Sequence, residues 1–181
     1  MIVTSDIQFL MSAPQAGAGY TKPGVPGNSL GLYVSTTQLS ATLLNNLWPD
    51  ITGAQNAADQ IDYQCLFVYN NNADHTMINP VAWLPSALLG AQNSALFAVG
   101  ADLNPPTILG SSAAQAAVIA NPTQAPSGVT AWASPSATSA GGVPLPNIPA
   151  RYCAAIWLRR TASGGAGLNQ FTVDVTFDTL S

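Results

Sequence analysis

The stretch Asp62-Tyr63-Gln64-Cys65-Leu66-Phe67-Val68-Tyr69-Asn70 is aromatic and β-branched, almost wholly apolar, and free of Gly and Pro. Such a run reads as a strand buried on both faces. Alternation sends Tyr63, Cys65, Phe67 and Tyr69 to one side of the sheet and Gln64, Leu66 and Val68 to the other, so two apolar layers must cover it. A central strand between two layers predicts a sandwich. Its expected partners are distant in sequence, in Tyr152 to Arg160 and Phe171 to Phe177, which makes the two halves of the chain close one core.

Working outward, the C-terminal end is the most regular part. Phe171-Thr172-Val173-Asp174-Val175-Thr176-Phe177 alternates strictly between apolar and polar, and the Gly/Ser-rich link Thr161 to Asn169 ties it to Tyr152–Arg160, so a hairpin with one wet face is expected. After the central strand, Asn70 to Asp74 is a turn, because Asn and Asp tolerate left-handed backbone and bond their own main chain. Met77 to Leu84 returns as a strand that Pro80 confines to an edge or a bulge. Ser94 to Val99 and Ala114 to Ala120 read as short strands. Asn121 to Ala150 reads as a Pro/Ser/Gly-rich excursion with a short strand at Val129 to Ala133.

On the N-terminal side, Leu30 to Thr36 is a strand, Leu43 to Trp48 a short apolar segment closed by Pro49, and Ile51 to Gln60 a polar connection. Asp6 to Met11 alternates weakly, as a short strand or a docking arm, and Ser12 to Ser29 is a long Pro/Gly loop. The expected organisation is an extended N-terminal arm over residues 1–29 and one domain over 30–181. That domain is expected to be an all-β, antiparallel β-sandwich, jelly-roll or Ig-like, with long Pro/Gly-rich loops. Leu66, Phe67, Val68, Ile156, Trp157, Val173 and Val175 are its predicted core.

Composition bounds the function. The 181 residues are 48% hydrophobic, enough for one well-buried domain. Only 7% are charged, against roughly 25% in ordinary soluble proteins, and no apolar run reaches the roughly 20 residues of a membrane span. A surface so poor in charge favours lasting contact with neighbours over life as a free monomer. The net charge of −4, with Lys22, Arg151, Arg159 and Arg160 as the fixed cations, argues against direct nucleic-acid binding. The first residues lack a basic region and an apolar core, so no signal peptide is expected and assembly in a cytoplasm is. Cys65 and Cys153 read as small buried hydrophobes, a disulfide being open to them only if their strands adjoin with facing Cβ atoms.

Nothing in the chain converges on a reaction. His75 is the lone histidine and reads as an exposed turn residue, no cysteine pair has zinc-like spacing, and the carboxylates are scattered, so no catalytic residue, metal or cofactor is expected. Arg159-Arg160 lies on a strand, so one guanidinium points to each face, and a cross-strand pair of one of them with Asp174 is expected. Of the four tryptophans, Trp83 and Trp157 are expected inside strands and Trp132, between Pro-rich loops, is expected to be the most exposed. The candidate interface residues are Tyr20 and Lys22 of the arm together with Trp132, Arg159 and Arg160.

Several segments resemble a family of structural proteins from tailed bacteriophages: Ser12-Ala13-Pro14, Ser29-Leu30-Gly31-Leu32-Tyr33-Val34-Ser35-Thr36-Thr37, Tyr63 to Asn70, Ile148-Pro149-Ala150 and Ala155-Ile156-Trp157-Leu158-Arg159-Arg160-Thr161. The likeness is spread over most of the chain and extends to the small β-sandwich proteins that decorate or cement capsids. It implies a non-enzymatic virion component at the capsid surface, a homotrimer or homodimer whose partners are the major capsid protein and its own copies. The arm before Leu30 would act as a clamp. The alternative is a tail, fibre or head-fibre module that binds a host glycan through exposed aromatics and the Asn70 to Asp74 loop.

Overall fold

A computed structural model describes residues 1–13, 22–41, 45–88, 96–163 and 171–179. In chain order the strands are β1 (Ile7–Ala13), β2 (Tyr33–Gln38), β3 (Ile61–Asn70), β4 (Met77–Trp83), β5 (Phe97–Ala101), β6 (Thr107–Ile108), β7 (Val143–Pro144), β8 (Tyr152–Thr161) and β9 (Asp174–Thr179). They form an all-β sandwich of two antiparallel sheets. The larger runs β2-β1-β3-β8-β5, with β6 also on β8, and the smaller runs β7-β4-β9.

The central stretch is a strand with neighbours on both sides. β3 pairs with β8 in unbroken register from Ile61 opposite Thr161 to Tyr69 opposite Cys153, and with β1 from Ile7 opposite Asn70 to Met11 opposite Leu66. Its two faces feed two separate cores, as the alternation requires. Leu66 and Val68, with Ala154, Ile156 and Leu158 of β8, pack against Met77, Ala82, Val143 and Val175 of the small sheet. Cys65, Phe67 and Tyr69, with Cys153, Ala155 and Trp157, pack instead against Leu30, Val34, Ala116 and Ile119. The second cover is therefore built mainly from loop, not from a sheet. Among the predicted core residues all are buried except Val173, which is half-buried.

Two expectations are corrected and one is refined. Tyr152–Arg160 and the last strand do not form a hairpin: β8 lies at the heart of the large sheet, while β9 crosses over and pairs with β4. The strand face that alternates in β9 belongs to the small sheet, where Val175 is buried and Asp174, Thr176 and Asp178 are exposed. The extended arm expected over residues 1–29 is, at residues 7–13, a strand of the domain itself, in keeping with the alternation of Asp6 to Met11. β1 sits between β2 and β3 with Leu10, Met11, Ser12 and Ala13 buried, and Ser29 is sequestered beside it. Finally, Ala114 to Ala120 and Val129 to Ala133 contribute only the isolated bridges Gly31 to Val118 and Val99 to Ala133. Ala-rich and Pro-flanked segments form no ladder of their own, but their apolar side chains still cover the large sheet.

Local chemistry explains the irregular points. The β1–β2 register shifts between Leu10 and Ser12, and the chain at Ser29 fills the gap. Ser29 Oγ accepts from Ser12 N–H at 2.7 Å and donates to the Cys65 carbonyl at 2.5 Å, while Cys65 N–H donates to the Ser29 carbonyl at 2.6 Å. β4 is the middle strand of its sheet, and the irregularity that Pro80 predicts lies between Ile78 and Val81, with Asn79 at φ 48°. Within the polar connection Ile51 to Gln60, Thr52 and Gln55 form a reciprocal cap, and this supports a short helix, α1 (Gly53–Ala57).

The internal position of β1 predicts that deleting Met1 to Pro26 abolishes cooperative thermal unfolding measured by circular dichroism, since both β2 and β3 lose a neighbour. A truncated chain with a sharp melt near that of the full chain would contradict the topology. Phe67→Ala is expected to lower unfolding stability in urea by about 3–5 kcal/mol, the usual loss for a buried Phe.

Candidate interaction surfaces

The two adjacent arginines near the end of β8 have separate fates, and alternation is the cause. Arg160 turns inward: its Nη2 meets Asp62 Oδ2 at 2.9 Å, its Nη1 donates to the Pro49 carbonyl at 3.1 Å, and its guanidinium lies 5.2 Å from the Trp48 ring centre. Asp62 is its cross-strand partner in the β3–β8 ladder. Both side chains are buried, so this pair locks the end of the central ladder to the Pro49 segment. It is not available as a surface, in contrast to the expectation for Arg160. The expected pairing with Asp174 fails because β9 lies in the other sheet.

Arg159 turns to the opposite face and lies 5.3 Å over the Trp132 ring. Tyr63, its cross-strand partner, touches the same tryptophan at a centroid distance of 5.5 Å. Trp132 is half-buried across this pair, so the loop carrying it is pinned to the sheet. Trp132 is more exposed than the buried Trp48 and Trp157, but a sugar ring stacking on it would compete with Arg159. Lys22 is exposed, and its carbonyl accepts from Thr36 N–H of β2 at 2.9 Å. Tyr20 lies outside the described residues. The four candidate interface residues that are described are thus not brought to one place. Arg159 and Trp132 meet, and Arg160 is internal.

Neither cysteine is bridged. Their strands adjoin, but Cys65 stands opposite Trp157 and Cys153 opposite Tyr69, four residues or roughly 13 Å apart along the ladder. Burial pushes the Cys65 thiol well above its ordinary value, and burial likewise pushes Cys153 up to about 12 against a hydrogen bond from Thr107 that works the other way. Such thiols are poor nucleophiles.

The feature that sequence reasoning missed is a cleft of about 530 Å³ between β1 and β9, with Ile2, Ile7 and Phe9 on one wall and Val175 and Phe177 on the other. Ile7, Phe9 and Phe177 pack on the inter-sheet core yet stay only partly buried. The N-terminal segment that supplies one wall is tied down by Asp6, which accepts from Val3 N–H at 3.0 Å and from the Asn72 amide at 2.9 Å. Those bonds hold its carboxyl below the usual carboxylate range. His75, in the same turn, lies 3.2 Å from the N-terminal ammonium and accepts through its backbone carbonyl from Asn70. It is half-buried and belongs to this anchor. Only a partner for β9 visible in three dimensions reveals the cleft, since its walls are far apart in sequence.

Arg160→Ala is expected to cost about 3–5 kcal/mol in a denaturant titration because it leaves Asp62 buried and unpaired, whereas Arg159→Ala removes one cation–π contact worth about 0.5–1 kcal/mol. Equal effects would contradict the assignment of faces. The thiols also predict a pH dependence. A raised folded-state value means that the native chain keeps its proton where the unfolded chain has lost it, so this contribution is complete below the ordinary thiol value of 9.0 and lost as pH rises towards about 12. Stability is expected to fall with a slope of up to about 1.4 kcal/mol per pH unit for each thiol, and Cys65→Ala with Cys153→Ala is expected to flatten that slope.

No protein-family model, no curated protein and no solved structure matches this chain.

Proposed function

We propose that the chain is a non-enzymatic structural protein of a tailed-phage virion that decorates the head, binding the major capsid protein and copies of itself. The observation that carries this reading is the open side of the sandwich. A chain with so few charges leaves apolar side chains of the inter-sheet core partly exposed along the β1–β9 cleft, where a fixed neighbour would cover them. The resemblance of the Ser29 to Thr37, Tyr63 to Asn70 and Ala155 to Thr161 segments to phage structural proteins supplies the context. The mechanism is passive. Apolar area removed from water at about 25 cal/mol per Å² adds to the lattice, and binding to the assembled state alone stabilises that state by mass action.

The clamp is reassigned in this reading. Residues 7–13 are committed to the large sheet, so contacts with a neighbour fall to the surface around the cleft and not to an N-terminal arm. The Arg159–Trp132 contact weighs against a glycan platform on that tryptophan.

The test is the position of the protein in particles of the phage that encodes it, imaged by electron cryomicroscopy. The expected outcome is a sandwich-shaped density on the outer head surface, in fixed ratio to the major capsid protein, with head resistance to heat or osmotic shock reduced when the protein is omitted. Density at the tail tip or in fibres would overturn the reading.

A further inference from the structure

The sheet edges of this protein are not equally protected. Along the large sheet, the outer edge of β2 is met by the Lys22 carbonyl, which accepts from Thr36 N–H, and β5 exchanges two bonds with Ala133 through Val99, at 2.9 and 2.8 Å. In the small sheet, β7 is two residues long and ends in Pro144. Short length, proline and covering loops are the usual means of blunting an edge. β9 has none of these three, and its only such devices are the charged side chains Asp174 and Asp178, the first of which takes up the Val175 N–H. It is six residues long, contains no Pro, Gly or Lys, and among the described residues no strand or loop backbone pairs with its outer side.

Next to that edge lies the cleft walled by Phe9, Ile7, Val175 and Phe177. The large sheet is wider than the small one, and a fourth strand added to β9 would lie over Ile7 and Phe9 of β1. Its inward side chains would fill the cleft, and its outward side chains would stand beside Asp174 and Asp178. These two carboxylates are exposed, lie on the same face of β9 and make no ion pair among the described residues, although Asp174, which also lines the cleft, accepts from Val175 N–H at 2.7 Å. Their placement selects the occupant. A second copy adding its own β9 in antiparallel fashion about Thr176 would set Asp174 opposite Asp178 twice, and like charges directly opposite destabilise a strand pair.

We propose that the outer edge of β9 and the adjoining cleft receive an extended segment of a different polypeptide, with apolar side chains at alternate positions and Lys or Arg among those between. Main-chain bonding supplies the attachment, the cleft reads the apolar positions and the two carboxylates read the basic ones. The inference goes beyond head decoration, because it specifies the chemistry of the bound segment wherever the protein sits.

The test uses the full chain and capped, fluorescently labelled heptapeptides with Val at positions 2, 4 and 6 and Lys or Glu at positions 1 and 5, the remainder Thr. Binding is read by anisotropy at low ionic strength, and protection of β9 amides by hydrogen exchange. The Lys peptide is expected to bind with protection of Asp174 to Thr179, and the Glu peptide about five- to tenfold more weakly. N-methylation of alternate amides in the Lys peptide is expected to abolish binding, since it removes main-chain donors and keeps the charge. In the doubly substituted chain Asp174→Lys and Asp178→Lys, both at exposed positions, the preference is expected to invert. Failure of the Lys peptide to bind, equal binding of the N-methylated peptide, or an unchanged preference in the substituted chain would overturn the proposal. None of these results bears on the head assignment, which particle position decides.

Discussion

Everything in this molecule depends on one constraint: the β3–β8 ladder is apolar on both of its faces. Its peptide groups are met by β1 and the Ser29 and Pro122 carbonyls on one side and by β5 and β6 on the other, but its side chains leave two surfaces that water must not reach. Trp157, Phe67 and Leu66 are fully buried, and each belongs to one or the other of the two cores. At about 1.5–3 kcal/mol for each fully buried large side chain, neither face can be left open in a domain of ordinary stability. The chain must provide two covers, and it does so by different means.

The first cover is regular, the small sheet β7-β4-β9. The second is irregular and has to be held by polar groups, because a loop layer lacks a ladder to fix it. Asp102 does much of this: its carboxylate accepts from the Trp157 indole at 2.8 Å, from Ala117 N–H at 3.0 Å and from Asn104 N–H at 2.9 Å. Gln115 accepts from Val34 N–H at 2.9 Å and donates to Thr107 at 2.7 Å, joining the loop layer to β2 and β6. Gly31 lets the layers touch. It has φ 89°, and a Cβ there would fall 1.8 Å from the Ala117 carbonyl oxygen, a position that only glycine fills. Buried polar residues in this protein thus specify where a loop lies, and a fully bonded network does that with high selectivity.

The difference in width between the two sheets carries the functional argument. A three-stranded cover over a larger sheet ends at β9, and the surface beyond it is neither core nor ordinary solvent-facing surface. A protein working alone in solution usually closes such a side, because exposed apolar area and an unpaired edge both promote association. One that spends its life attached to a neighbour has no need to. In the proposed role the low charge of the chain acts in the same direction, since it leaves little repulsion to keep surfaces apart.

The sequence by itself determined the nature of the central strand, its two-sided burial, the all-β class, the opposite faces of Arg159 and Arg160 and the irregularity at Pro80, because alternation, β-branching and proline act within a few residues. It did not determine which strands pair. Asp62 rather than Asp174 meets Arg160, β9 leaves β8 for β4, and Ile7 to Ala13 enters the large sheet, where its composition of one Gln, one Ser and mixed apolar residues reads equally as an arm. The cleft was illegible for the same reason: residues 2–9 and 174–177 come together only when both sheets are in place. Pairing is chosen by the whole set of competing burials and main-chain bonds, and no local pattern encodes a competition that is settled between segments so far apart in the chain.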